Sequence, residues 1–142
     1  MNVKERLREF EEVCRKDGLK ITHQRLEVFK ELVNSLDHPS VEKLYRRLHD
    51  KLPTISLDTV YRTLTTLEEH GLISRVQTPE SQARFEGRTD EHHHLICKTC
   101  GKITDFSWSL LDTSSLPSEV AEWGRIDRKN ITLHGLCREC GE

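Results

Sequence analysis

The sequence of 142 residues has no apolar run approaching the roughly 20 residues that a bilayer-spanning helix needs. Its opening segment, MNVKERLREFEEV, is charged and lacks the apolar stretch of a secretory signal. We therefore expect a cytoplasmic protein with no membrane partner. Hydrophobic residues make up only 35% of the chain, which is too few for one thick core. Small domains of this kind often depend on a bound metal or on a partner chain.

Several enzyme signatures are also missing. The chain has no H-E-x-x-H metalloprotease motif, no Gly-rich phosphate loop and no nucleophile elbow built on Ser or Cys. The formal net charge is −2, so no overall excess of positive charge indicates a nucleic-acid partner. Because phosphate contacts dominate nucleic-acid affinity, such a function would need a local basic face.

The first half of the chain has the pattern of four helices. Apolar residues recur at helical spacing in about residues 3–17 and 22–35. Ser40 and Ser56 can each cap a further helix, because a serine hydroxyl accepts a hydrogen bond from a backbone N–H in the first turn. Each of these two later segments also carries one apolar stripe, which is typical of an amphipathic helix.

After Gly71 the pattern changes to short strands. Residues 72–76 and 83–85 flank the polar segment 78–81, which predicts a hairpin with a polar tip. The second, third and fourth helices followed by this hairpin predict a winged helix-turn-helix. In that motif the last helix, here the one after Ser56, enters the major groove of DNA.

The second half predicts short strands at about residues 94–97, 103–106 and 126–136, with one helix around Val120. This half is too small to fold securely without a metal, a dimer interface or both. The expected fold is therefore α+β with three parts. They are an N-terminal winged helix-turn-helix domain in residues 1–86, a hinge in residues 87–93 and a small C-terminal α/β domain in residues 94–142.

Four of the five cysteines form two pairs, Cys97 with Cys100 and Cys137 with Cys140. A gap of two residues lets both thiolates of a tight turn reach one tetrahedral ion, and a Gly follows each pair. The two pairs predict a zinc site that is structural, because four thiolates leave no coordination position open. Disulfides or redox thiols are the alternative, which an intracellular setting disfavours. Cys14 is expected to be a buried apolar residue.

Three consecutive histidines precede the first cysteine pair. Alternate residues of a strand point to the same side, so His92 and His94 can share a metal ion while His93 faces away. Imidazole with carboxylate suits Fe(II), Mn(II), Zn(II) or Co(II). The alternatives are a polar strand end without metal and a small metalloenzyme with open coordination positions. Candidate further ligands are one earlier histidine and four carboxylates: His38, Glu86, Asp90, Glu91 and Asp105.

Five short motifs are distributed along the chain: GLKITHQR at 18–25, DTVYRTL at 58–64, GLI at 71–73, RFE at 84–86 and HHHLICKTCGK at 92–102. Together they resemble the ferric uptake regulator family of bacterial metal-sensing repressors. The resemblance covers nearly the whole chain, from about residue 7 to residue 140.

This resemblance implies a homodimer in which the C-terminal α/β domain provides dimerisation and the four paired cysteines hold structural Zn(II). It also implies a metal-dependent repressor, not an enzyme, that binds an AT-rich palindromic operator and controls iron-uptake genes. Metal binding would favour the conformer whose two winged helices match the DNA. The regulatory ion would be Fe(II) or Mn(II), which Zn(II) can replace. Its implied ligands are His38, Glu86, His92, His94 and Asp105.

For DNA contact, the resemblance implies residues at the start of the second helix and in the fourth. Arg62 can read a guanine with two hydrogen bonds, and Lys20 would reach the minor groove. The alternative is an ordinary solvated basic face. The implied DNA-binding residues are Lys20, Arg25, Ser56, Thr59, Tyr61 and Arg62.

Iron sensors and peroxide sensors of this family share the His/carboxylate site. In peroxide sensors, bound Fe(II) lets peroxide oxidise a ligand histidine, which here would be His38 or His92. Glu86 and Arg62 favour iron sensing, because peroxide sensors usually have Asp and often Asn at these positions.

Other positions favour peroxide sensing. Asp105 is the residue that peroxide sensors prefer at its position. Lys129 and Glu91 stand where many iron sensors place histidines of another metal site. Iron-responsive repression is the prediction, with peroxide sensing as the alternative and manganese, zinc or nickel sensing less favoured.

Overall fold

The computed structural model describes residues 2–78 and 82–141, so part of the predicted hairpin tip, residues 79–81, lies outside the described residues. The chain divides into two compact units, Met1–Thr89 and Asp90–Glu142. The first contains helices and a two-stranded sheet, and the second is built on a three-stranded sheet. The predicted α+β class is confirmed. Within the described ranges, no helix combines the length and the apolar character that crossing a membrane requires.

The first unit contains the helices α1 (Val3–Asp17), α2 (His23–Asn34), α3 (Val41–Leu48) and α4 (Leu57–Glu69). Each begins after a polar residue whose side chain accepts a hydrogen bond from a backbone N–H in the first turn. Ser40 and Ser56 are two of these residues, so both predicted caps are confirmed. The first helix ends at Gly18, whose φ of 69° lies in the left-handed region that glycine adopts without strain.

The apolar faces of the four helices meet in one core. Phe10 of α1 and Phe29 of α2 are fully buried and stack with ring centroids 5.0 Å apart. Leu44 of α3 and Leu64 of α4 join the same cluster. Cys14 is buried there too, as expected for a lone cysteine. Burial of each such leucine or phenylalanine contributes about 1.5–3 kcal/mol, so this core fixes the position of α4.

A short antiparallel hairpin, the wing, follows α4. It consists of β1 (Ser74–Val76) and β2 (Arg84–Glu86). Phe85 is fully buried and docks the wing on the helical core. Just after the wing, Gly87 approaches α2 so closely that a Cβ at this position would lie 2.9 Å from Cα of Val33. Only glycine allows this approach without a shift of the backbone.

A buried arginine ties α1 to both ends of the wing. The side chain of Arg6 is 3% exposed, and its Nη2 donates to the carbonyl of Leu72 at 2.6 Å and to that of Gly87 at 2.7 Å. Its guanidinium also lies over the ring of Phe29, 5.2 Å from the centroid. The wing is therefore anchored to the first two helices by polar as well as apolar contacts.

The second unit has one sheet with the strand order β4-β3-β5. Its strands are β3 (His93–Cys97), β4 (Ile103–Phe106) and β5 (Thr132–Gly135). The central strand pairs with β4 in the antiparallel direction and with β5 in the parallel direction. The parallel pairing places the C-terminal ends of β3 and β5 at the same edge of the sheet. A cysteine pair lies at or just after each of these ends.

The connection from β4 to β5 differs from the prediction. The structure has two short helices, α5 (Ser109–Thr113) and α6 (Ser118–Trp123), where one was predicted. Pro117 separates them, because proline lacks the backbone N–H that a continuous helix needs. The predicted strand over residues 126–136 is also too long, since only the four residues of β5 pair with the sheet.

Candidate metal sites and DNA-binding helix

The four paired cysteines converge at one edge of the sheet. Cys97 ends β3 opposite Gly135 of β5, which lies two residues before Cys137. The Sγ atoms of Cys97, Cys100, Cys137 and Cys140 all lie within 4.8 Å of one another. A tetrahedral ion with Zn–S bonds of about 2.3 Å would separate its sulfurs by about 3.8 Å. The sulfurs of Cys100 and Cys137 are 3.8 Å apart, so the arrangement fits one four-coordinate ion better than two separate disulfides.

The backbone around Cys97 favours its thiolate. Its Sγ accepts hydrogen bonds from the backbone N–H groups of Cys100, at 3.5 Å, and Cys137, at 3.4 Å. These bonds lower the pKa of Cys97 to about 6. Hydrogen bonding with neighbouring thiols, above all with Cys137, raises the pKa of Cys140 to about 12. The four sulfurs therefore resist full deprotonation together unless a cation offsets their charge, which is the chemistry of a metal site.

His38 and Glu86 form a buried pair in the first unit. The histidine lies in the loop between α2 and α3, and the glutamate ends β2. Nε2 of His38 is 3.1 Å from Oε2 of Glu86, and each side chain is 5% exposed. The backbone φ of His38 is 52°, in the left-handed region that residues other than glycine rarely adopt. Such conformations concentrate at functional positions.

His92, His94 and Asp105 meet in the second unit. The register of β3 and β4 places His94 opposite Asp105. Oδ1 of Asp105 lies 3.4 Å from Nε2 of His94 and 3.9 Å from Nε2 of His92. The Nδ1 of His92 donates to the carbonyl of Asp90 at 2.7 Å, which directs Nε2 towards the carboxylate. Two imidazoles and one carboxylate therefore face each other, as in sites for borderline divalent metals.

His93 faces the opposite side of the sheet, as predicted from strand alternation. Its Nδ1 accepts from the backbone N–H of Ile131 at 3.0 Å, so the proton of the neutral ring is on Nε2. Nε2 is 2.7 Å from Oδ1 of Asp112, which attaches α5 to the sheet. Of the other candidate carboxylates, Asp90 contributes its carbonyl to His92, and Glu91 is exposed.

The helix α4 presents four of the six predicted DNA-binding residues. Ser56 caps it through the backbone N–H of Thr59 at 3.1 Å, and the two hydroxyls are 2.8 Å apart. Tyr61 is 45% exposed. The side chain of Arg62 is 78% exposed, and its Nη2 lies 2.6 Å from Asp58 one turn earlier. These side chains form a polar, accessible face over the buried stripe of the helix.

The two basic residues near α2 are close neighbours. Lys20 is exposed in the segment before the helix, and Nη1 of Arg25 donates to its carbonyl at 2.8 Å. Arg25 therefore orders the segment that carries Lys20, in addition to offering charge.

Comparison with known proteins shows the family of the chain. Residues 16–134 match the Ferric uptake regulator family. The chain belongs to this family. The peroxide operon regulator of Bacillus subtilis is 34% identical over 137 residues, which are 96% of this chain and 94% of that protein. Members of the family are DNA-binding, metal-sensing transcription regulators that act as dimers.

Solved structures of the family are also similar. The ferric uptake regulator Fur of Helicobacter pylori, described with three functional metal-binding sites, matches 99% of this chain and 94% of its own, with a TM-score of 0.81 and 30% identity. The ferric uptake regulator of Pseudomonas aeruginosa with manganese matches 90% of this chain and 97% of its own, with a TM-score of 0.72 and 26% identity.

In this member of the ferric uptake regulator family, sequence reasoning missed Arg75. This residue of β1 lies 3.1 Å from Glu68 and places its guanidinium 4.9 Å from the ring centroid of Phe85 and 6.0 Å from that of Tyr61. It thus connects the wing to the exposed tyrosine of α4. The alternation of residues along β1 was the available signal, but it cannot reveal which helix the side chain of Arg75 meets.

Replacement of Arg62 by alanine tests α4 as the recognition helix. We expect Arg62→Ala to weaken specific DNA binding about 10- to 100-fold, because a bidentate contact to a base is worth about 1–3 kcal/mol. The melting temperature and the zinc content should not change, since the side chain is exposed. Arg128→Ala is the matched control, because it removes the same charge from an exposed position in the second unit. The measurement is the affinity of each variant for an operator selected from random DNA duplexes. Equal affinity of the two variants would rule out α4 as the recognition helix.

Proposed function

We propose that this chain is a peroxide-responsive, metal-dependent transcriptional repressor with Fe(II) or Mn(II) as its regulatory ion. The observation that carries the proposal is the pairing of His92 and His94 with Asp105 in one unit, together with the buried pair of His38 and Glu86 in the other. The similarity to the peroxide operon regulator of Bacillus subtilis supports the response to peroxide.

In the proposed mechanism, five side chains are the ligands of the regulatory ion. The first unit offers one imidazole and one carboxylate, and the second offers two imidazoles and one carboxylate. This donor set suits Fe(II) and Mn(II), and Zn(II) can also use it. Metal binding stabilises the conformer that binds DNA, and only a difference in metal affinity between this conformer and the non-binding one can drive DNA binding. The ligands are His38, Glu86, His92, His94 and Asp105.

The second site, formed by the four paired cysteines, holds structural Zn(II). No coordination position stays open in a four-thiolate site, so it supports folding and does no chemistry. The donor set and the converging sulfurs support this assignment.

The DNA-binding form is proposed to be a cytoplasmic homodimer on an AT-rich palindrome. Exposed leucines support dimerisation through the second unit: Leu95 of β3 lies opposite Leu133 of β5, and they are 41% and 45% exposed. Leu136 follows at 55%. Apolar residues clustered on one surface are typical of a subunit interface. A dimer would present α4 twice, matching the two half-sites of a palindrome.

The response to peroxide would be oxidation of a ligand histidine, His38 or His92. Fe(II) held by these ligands would supply the redox chemistry that activates peroxide beside the imidazole ring. In the net reaction, one oxygen of hydrogen peroxide is added to C2 of the imidazole, giving 2-oxohistidine, and the other leaves as water. The modified ring is a poorer ligand, so the ion is lost and the repressor releases DNA.

Iron sensing is the second candidate, in which Fe(II) binds reversibly without oxidising the protein. Glu86 and Arg62 favour it, because peroxide sensors usually have Asp and often Asn at these positions. The similarity to the Helicobacter pylori ferric uptake regulator also favours it. Against iron sensing, Lys129 stands in the region of the sequence where many iron sensors have a further histidine ligand. Its ammonium instead donates to the carbonyl of Ser114 at 3.1 Å.

Mass spectrometry after treatment with Fe(II) and peroxide distinguishes the two candidates. For a peroxide sensor, we expect one added oxygen on His38 or His92 within minutes at low peroxide, with loss of operator binding. The Mn(II)-loaded chain is the control and should stay unmodified. If the histidines remain unmodified and operator binding depends reversibly on Fe(II), the iron sensor is the correct assignment.

A further inference from the structure

The loop that carries His38 is held by two arginines from different elements. We call residues 35–40 the His38 loop; it connects α2 to α3. A histidine with a φ of 52° needs its neighbours to fix that conformation, because the left-handed region is unfavourable for it. The contacts that do so come from α3 on one side and β2 on the other.

On the α3 side, Arg47 clamps the loop. Its Nη1 and Nη2 donate to the two carboxylate oxygens of Asp37 at 2.9 and 2.5 Å, a bidentate pair with fixed geometry. The same Nη1 donates to the hydroxyl of Ser35 at 2.9 Å. Lys43, also on α3, adds an ion pair to Asp37 at 3.4 Å. The residue just before His38 is thus attached to the third helix.

On the β2 side, Arg84 holds the backbone of the same loop. Its Nε donates to the carbonyl of His38, and its Nη2 to the carbonyl of Asp37 at 3.1 Å. The backbone N–H of the next residue, Phe85, donates to the carbonyl of Pro39 at 3.0 Å. Two residues after Arg84 on the same strand, Glu86 reaches the imidazole of His38.

We propose that Arg47 and Arg84 are positioning residues that hold His38 in place for the regulatory metal, so that metal binding is coupled to the third helix. The proposal rests on the proposed function, in which His38 is a ligand. Groups that orient a metal ligand raise metal affinity because the ligand is ordered before the ion arrives. Because α3 packs against α4, a loop fixed by the ion also fixes the helix pair that meets DNA.

The test measures Mn(II) affinity of the full-length, zinc-loaded chain by electron paramagnetic resonance of the free ion. We expect Arg47→Gln and Arg84→Gln each to weaken Mn(II) binding about 10-fold, the lower end of the range for groups that orient ligands. Arg46→Gln is the matched control, because Arg46 is the preceding, exposed residue of α3. It should bind Mn(II) as the unmodified chain does.

A double-variant cycle separates positioning from general destabilisation. Asp37→Asn should weaken Mn(II) binding about as much as Arg47→Gln, and the double variant should be no weaker than either, because the pair acts as a unit. If Arg47→Gln fails to fold, the Mn(II) affinities of Asp37→Asn and Arg84→Gln test the positioning role instead. A lower melting temperature with unchanged Mn(II) affinity in these variants would overturn the positioning role.

A His38→Ala variant keeps this inference distinct from the proposed function. We expect it to lose Mn(II) binding at the regulatory site while retaining zinc. If His38→Ala loses Mn(II) and the Arg47 and Arg84 variants match Arg46→Gln, the positioning proposal alone is overturned. If His38→Ala binds Mn(II) normally, both the ligand assignment and the inference are wrong.

Discussion

The Cys97→Ser variant is expected to lose its zinc ion and the fold of the second unit. Cys97 is buried at the end of β3, and its sulfur accepts two backbone N–H groups, so it is central to the four-cysteine cluster. The described parts of α5 and α6 contain no buried residue, so the helices of this unit supply little core. Binding of a structural zinc contributes about 10–16 kcal/mol in small zinc domains, which this unit cannot replace by packing.

Metal analysis, size-exclusion chromatography and thermal unfolding measure the result. We expect less than one zinc per chain, loss of the dimer and loss of the transition of the second unit. Cys14→Ala is the control: it removes a thiol whose pKa is raised by burial in the helical core, and it should keep the full zinc content. Retention of one tightly bound zinc per Cys97→Ser chain, with an unchanged melting temperature, would argue against the structural site.

The His94→Ala variant is expected to lose metal-dependent DNA binding although the mutated residue lies outside the DNA-binding unit. Asp105 lies opposite His94 across the two strands, so removal of the imidazole breaks the ligand cluster of the second unit. Couplings between two sites typically change affinity about 5- to 150-fold, and we expect a loss of about 100-fold in the presence of saturating Mn(II). Without added metal, the variant and the unmodified chain should bind DNA equally weakly.

Fluorescence anisotropy with an operator selected from random duplexes is the appropriate measurement. His134→Ala is the control, because His134 is an exposed histidine of β5 in the same sheet, and it should keep the full response to Mn(II). An undiminished response of His94→Ala would show that metal does not act through this cluster.

The sequence was sufficient for features that depend on local pattern. Strand alternation correctly placed His92 and His94 on one side and His93 on the other. Serine caps marked the starts of α3 and α4, since a hydroxyl acts only within its own first turn. The two-residue cysteine spacing indicated a cluster, because both members of each pair lie in one tight turn.

Features that depend on neighbours distant in sequence were not predictable in this way. The predicted number of helices between β4 and β5 was wrong. The predicted length of β5 was also wrong, because pairing with β3, not local propensity, limits that strand. The sequence also did not predict the contact of Arg75 with α4 or the hydrogen bonds from Arg84 to the His38 loop. A basic residue has several possible partners, and the fold selects among them.

The sequence by itself therefore predicted most of the helices and strands, two groups of candidate metal ligands and the resemblance to a family. Tertiary structure decided which residues meet: it brought the four sulfurs together at one edge of a sheet, placed Glu86 against His38, and fixed the loop of that histidine between Arg47 and Arg84. The physical reason is that helix and strand patterns arise from neighbours within about one turn or one strand. Ligand geometry arises instead from packing of segments far apart in the chain.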